Sequence, residues 1–163
     1  MGSSKKVTVG YRYYLGLHFG LCHGPVDAVQ KVIIGDREAW AGTHATSGAI
    51  TINQPGLFGG DKREGGVVGT LDVLMGESTQ VENTYLQAKI GALIPAFRGI
   101  LSAVWRGGQV TSNNPYLKPW AFKVRRILQG WSGGAAWYPE KAEIADTEIQ
   151  NGDVREGIWY VEA

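Results

Sequence analysis

The chain has 163 residues, 44% hydrophobic and 19% charged, a composition that supports one globular core and excludes a disordered polar chain. Its 16 basic and 15 acidic residues leave a formal charge of +1, which excludes the strong field that draws nucleic acid or an acidic membrane, so partners must be recognised by local surface. The lone Cys22 excludes an internal disulfide, and the apolar run at 91–97, interrupted by Pro95, falls short of the roughly 20 residues of a membrane helix.

No charged-then-apolar leader opens the chain, which favours synthesis in a reducing interior, and no membrane anchor is expected. The 24 glycines, dispersed along the chain with 6 tryptophans, suit tight turns and bulges between short strands. Residues 1–6 are polar and expected to be disordered, their Met-Gly start fitting a vector-derived leader. Structure is expected from Val7, where Val7, Val9, Tyr11, Tyr13, Leu15, Leu17, Phe19 and Leu21 hold every odd position. That period of two predicts one long strand, with bends or bulges at Gly10, Gly16 and Gly20.

His23-Gly24-Pro25-Val26-Asp27 reads as a turn, and the apolar run after it, closed by Gly35-Asp36 and followed by Arg37 to Trp40, reads as a hairpin. Strands are expected at 49–52 and 67–75, joined by a mobile loop with glycine at both ends. Tyr85, Leu86, Lys89 and Ile90 have helical spacing and predict a short helix that starts near Ser78 or Asn83. A buried strand is predicted over 97–105, a turn at Gly107-Gly108, and a loop at Asn113-Asn114-Pro115-Tyr116. In 120–128 apolar Trp120, Phe122 and Val124 alternate with basic Lys123 and Arg125, as in a half-buried strand. Past Gly134 no clear period returns before Ile158-Trp159-Tyr160-Val161, and no repeat suggests a solenoid or propeller. The expected division is a β-rich domain over 7–140 and a C-terminal segment, 141–163, of unassigned structure.

Several constellations invite chemistry, and each has a plainer reading. His18, Cys22 and His23 have zinc-ligand side chains, but on a strand residues 18 and 22 lie about 13 Å apart, against about 4 Å for two ligands of one zinc. Cys22 and His23, as strand neighbours, point to opposite faces and cannot act as nucleophile and base. The 59–66 loop lacks a Gly-Lys-Ser/Thr ending and a following helix, so a phosphate cradle is not favoured. Nothing in the spacing of Asp27, Asp36, Asp72 and Glu77 selects a catalytic pair. Lys118, Lys123, Arg125 and Arg126 lie among aromatics, yet alternation separates rings from charges, so specific nucleic-acid binding is not expected. The tryptophans at 40, 105, 120, 131, 137 and 159 sit mostly in apolar runs and are expected in the core.

The segment Tyr11-Arg12-Tyr13-Tyr14-Leu15-Gly16-Leu17-His18, followed by Cys22-His23-Gly24-Pro25-Val26-Asp27, resembles tail-tip hub proteins of long-tailed bacteriophages, of the lambda host-specificity type. Phe97-Arg98-Gly99 and the stretch from Asn114-Pro115-Tyr116 to Val124-Arg125-Arg126 look like that family's paired strands. The resemblance covers about residues 5–140 and is not followed past Ala145. It implies a non-catalytic structural domain of a longer hub, mainly β, with antiparallel sheets, a partly barrel-like form and one or two short helices. It further implies a homotrimer in the full-length hub, other phage tail proteins as partners, no cofactor or metal, and a place at the virion tail tip after synthesis in the bacterial cytoplasm. On this reading the loops 53–66 and 106–119 contact neighbouring subunits or adjoining tail proteins through Asp61, Lys62, Arg63, Asn113, Asn114, Tyr116 and Lys118. Two other classes stay open: a carbohydrate-binding module using exposed tryptophans, and a small hydrolase with an unrecognised carboxylate pair.

Overall fold

The structure, a computed structural model, describes residues 10–127 and the backbone of 156–162. In chain order the elements are β1 (Arg12–Tyr14), β2 (Leu17–His23), β3 (Ala28–Ile34), β4 (Arg37–His44), β5 (Gly48–Gln54), β6 (Val67–Leu74), α1 (Thr84–Ile90), β7 (Ile100–Trp105), β8 (Gln109–Ser112), β9 (Trp120–Ile127) and β10 (Glu156–Glu162). The fold is mainly β with antiparallel pairing throughout, and α1 is the one helix among the described residues.

One sheet is built on β6. Strand β5 pairs along one side of it, and β7 and β8 share the other side. Beyond them β2 pairs with β7 and β1 with β8. The long strand expected from period-two alternation is therefore split at Leu15-Gly16, where its partner also turns; there the Leu15 N–H donates to Gly108 O at 3.2 Å. Tyr13, Leu17, Phe19 and Leu21 pack toward the core as the alternation requires, whereas Tyr11 and Leu15, beside the strand ends, are exposed. Strand β8 was not expected: four residues, Gln109-Val110-Thr111-Ser112, are too short and too polar for a hydrophobic pattern, yet all four are buried.

The second sheet has the order β10-β9-β3-β4. Its β3–β4 hairpin turns at Gly35 and Asp36, both at positive φ (54° and 63°). Two such residues in a two-residue turn match the right-handed twist of the strands, as the sequence led one to expect. The sheets lie alongside each other at β4 with β5 and at β10 with β2, without ladder pairing. The arrangement is thus two sheets around one core and not a closed barrel.

Phe19 and Trp105 from the first sheet meet Trp120 and Phe122 from the second, with ring centroids 5.2 Å apart for Phe19–Trp120 and 5.4 Å for Trp105–Trp120. Each buried ring contributes on the order of 1.5–3 kcal/mol through removal of its apolar area from water. Trp105 fits because Gly69 and Gly108 flank its indole: a Cβ on either would sit 2.7 Å or less from ring atoms. The indole N–H donates to Gly108 O at 3.1 Å. All of β7 except Ile100 is buried, and beside it Asp72, the β6 partner of Val104, is tied to the start of α1. There Asp72 accepts from Arg106 Nε and from Asn83 Nδ2, both at 2.7 Å. Asn83 also caps α1, its Oδ1 accepting from the Leu86 N–H. Gln80 ties the flanking loops together, accepting from Gly76 N–H and donating to the carbonyls of Ala96 and Phe97.

Candidate functional site

The residues expected to make contacts converge at one end of the molecule. Between β5 and β6, residues 55–66 form a compact arm. Phe58 N–H donates to Gly65 O (2.8 Å), Gly60 and Gly65 exchange hydrogen bonds of 3.2 and 2.9 Å, and Arg63 N–H closes the tip on Gly60 O at 2.9 Å. Phe58 is buried and joins the core cluster. The glycine-flanked loop read from sequence as mobile is therefore folded back on its own chain, for a simple reason: its one large apolar ring is anchored.

The loop after β8 fastens the arm. Asn113 adopts a left-handed conformation, φ 58°, which asparagine tolerates better than most residues. Its Oδ1 accepts from the Tyr11 N–H at 3.2 Å, and its Nδ2 donates to the main-chain carbonyls of Asp61 and Arg63 at 2.9 and 2.8 Å. Ser112 N–H and Thr111 Oγ1 both donate to Glu64 O, at 2.8 and 3.0 Å. Asn114 Nδ2 donates to Glu64 Oε1 at 2.8 Å, and its Oδ1 accepts from the Tyr116 N–H at 3.1 Å.

Charge pairs complete the clasp. Lys118 Nζ lies 2.6 Å from Glu64 Oε2 and 4.9 Å from the centre of the Phe58 ring. Hydrogen bonds from Lys118 and Asn114 hold the Glu64 carboxyl below its ordinary range. Arg12 on β1 bonds Asp61 at 2.8 Å across the exposed rim. Of the seven residues expected to contact partners, Asn113, Asn114, Lys118 and Asp61 are thus engaged within the chain. Lys62, Arg63 and Tyr116 are exposed, Tyr116 at 78%, and Leu117 beside it is also exposed.

The other candidates lie apart from this patch. A register shift between Gly20 and Cys22 turns Leu21 and Cys22 both toward the core, so Cys22 does not share a face with His18 as a regular strand would require. His18 instead meets the Phe97 ring edge-on at 4.6 Å, and partial burial lowers its pKa from 6.5. Burial raises the Cys22 thiol, with Arg126 opposing weakly. No group of three or more potential metal ligands occurs among the described residues. Asp72 is occupied by Arg106 and Asn83, Glu77 accepts from Ser47 Oγ, and Asp36 sits in the β3–β4 turn. Trp105 and Trp120 are buried and Trp40 half-buried. Trp131 and Trp137 lie outside the described residues, as do Val7 and Val9. Phe122 and Val124 are buried beside half-buried Lys123 and Arg125.

Arg12, Glu64 and Thr111 belong to the clasp but were not singled out by sequence reasoning. Arg12 was open to it, since alternation in Tyr11-Arg12-Tyr13-Tyr14 puts Arg12 and Tyr14 opposite the core-facing Tyr13. Comparison with protein-family models finds no match for this chain, and comparison with curated proteins finds none either.

Proposed function

We propose that this chain is a non-catalytic structural domain of a phage tail-tip hub, contributing to tail assembly, host attachment and DNA passage. The observation that carries the reading is the clamped arm. Its main chain is fixed by Asn113 and by the Glu64 clasp, while Lys62, Arg63, Tyr116 and Leu117 remain exposed at one end of a two-sheet body. A surface held in advance loses little conformational freedom on docking, and tyrosine and arginine are the side chains enriched at interface centres. The sequence resemblance supports the same reading, since its motifs lie on β1, β2 and the clasp loop. On this proposal the partners are other tail proteins, the full-length hub is a homotrimer, and the domain resides at the virion tail tip.

The test is a full-length hub carrying Lys62→Glu, Tyr116→Ala and Leu117→Ser together. These exposed positions should each change stability by about 0.5 kcal/mol or less, so the domain keeps its fold while tail yield, counted by electron microscopy, collapses. Tails assembled at the normal yield would reject the proposal.

A further inference from the structure

A concavity of about 520 Å³ lies between the arm and β1, within the range of roughly 300–1,000 Å³ typical of small-molecule sites. One wall is β1, where alternation sends Tyr13 to the core and leaves Arg12 and Tyr14 on the other face, with Tyr14 59% exposed. The arm supplies the opposite wall through Pro55, Gly56 and Gly60. Val68 and Gln109, paired across β6 and β8, come from the sheet between them.

The chemistry of this lining is selective. Its charges cancel, because Arg12 and Asp61 are bonded to each other at 2.8 Å, so an anion gains no unpaired cation. Its apolar surface is confined to the Tyr14 ring, Pro55 and Val68, too little for a lipid or a purely apolar ligand. The remainder is rich in groups that donate and accept: the exposed Asn53 amide offers a carbonyl oxygen and an NH₂, Gln109, whose NH₂ is engaged by Ser112, adds its carbonyl oxygen, Arg12 adds donors and Asp61 acceptors. Several of these groups are held in advance. Gln109 Nε2 donates to Ser112 Oγ at 3.0 Å, and the Asp61 main chain is gripped by Asn113. A ligand that fits has an apolar face to lie on tyrosine and a rim of hydroxyls that donate and accept at once.

We infer that this concavity is a binding site for a neutral saccharide of one or two sugar units. Tyr14 is the stacking platform, and Asn53, Gln109 and the Arg12–Asp61 pair read the hydroxyls. The site owes nothing to the tryptophans, and the inference stands whether or not the chain is a hub domain. Gly56 offers a way to test it: it lines the concavity and a Cβ there meets no atom within 4 Å, so Gly56→Val adds bulk at the lining from a position that starts in open space.

The experiment is a ¹H–¹⁵N NMR titration of the full chain with glucose, galactose, mannose, N-acetylglucosamine, maltose, lactose, cellobiose and chitobiose at tens of millimolar, and with inorganic phosphate. At least one sugar should produce saturable shifts confined to the amides around Arg12, Tyr14, Asn53, Gly56 and Gln109, while phosphate produces none there. Tyr14→Ala, Asn53→Ala and Gly56→Val should each weaken binding by about tenfold or more, with the spectra reporting that each variant is folded. The triple variant at 62, 116 and 117 should bind the sugar unchanged, which separates this site from the assembly surface. Silence across the sugar panel, saturable phosphate shifts at these amides, or unaltered affinity in Tyr14→Ala overturns the inference.

Discussion

Asn113 directs a single amide to three main-chain groups, one at the start of β1 and two at the tip of the arm. Replacing it with alanine removes all three bonds and puts a Cβ without a local hydrogen bond at φ 58°. The expected loss is about 2–3 kcal/mol, read by chemical denaturation, with Asn113→Gly losing about 1 kcal/mol less because glycine accepts that φ freely. His18 gives a second residue-scale expectation. Its folded pKa lies below 6.5, so between that folded value and 6.5 the unfolded chain binds more protons than the native one. Stability should therefore fall as pH drops from neutral through 6.5, and His18→Gln should flatten that part of the profile in pH-dependent melting. The sequence placed Asn113 and Asn114 in a loop, and the family resemblance made them contacts to neighbouring subunits. The sequence itself could not tell whether their partners were in another subunit or about fifty positions back in the same chain, because side-chain preference carries no address.

At the scale of elements, patterns with a strong local cause were readable. Trp120, Phe122 and Val124 alternate and are buried; Gly35-Asp36 makes its hairpin; the helix begins at an asparagine cap. What escaped was set by neighbours in space. The break at Leu15-Gly16 follows from a turn in the paired strands, and the shift at Gly20/Cys22 from the register with β7. The helix is attached through a linked set: Asn83 caps α1 and also donates to buried Asp72, which Arg106 pairs at 2.6 Å. Asp72→Ala strands the Asn83 amide and one face of Arg106. Because Arg106 is partly exposed and can recover water, the cost should be about 2–3 kcal/mol, below that of breaking a fully buried pair. Asn83→Ala should cost about 1–2 kcal/mol, and the double variant less than the sum, measured as a double-mutant cycle by urea denaturation.

For the molecule as a whole, the β class was legible from glycine content and alternation, and the division into two sheets was not, since strand order depends on pairings far apart in sequence. The C-terminal segment illustrates this. Apart from Ile158 to Val161 it offered no period, yet residues 156–162 pair with β9 from Glu156↔Ile127 to Glu162↔Ala121. That strand covers the outer edge of β9, the strand that carries buried Trp120, Phe122 and Val124. Deleting 156–163 should leave β9 as an open edge, a template for pairing with another chain. Sedimentation velocity should then show concentration-dependent self-association stronger than that of the full chain.

The grip of Asn113 on the arm has a consequence for how this surface can change. The amide holds carbonyl oxygens, which every amino acid carries, and ignores the side chains attached to them. Positions 62 and 63 can therefore be exchanged wholesale while the arm keeps its posture. The tip behaves as an interchangeable bit in a fixed chuck: natural variation or a designed library can reshape what the arm presents without refitting what holds it.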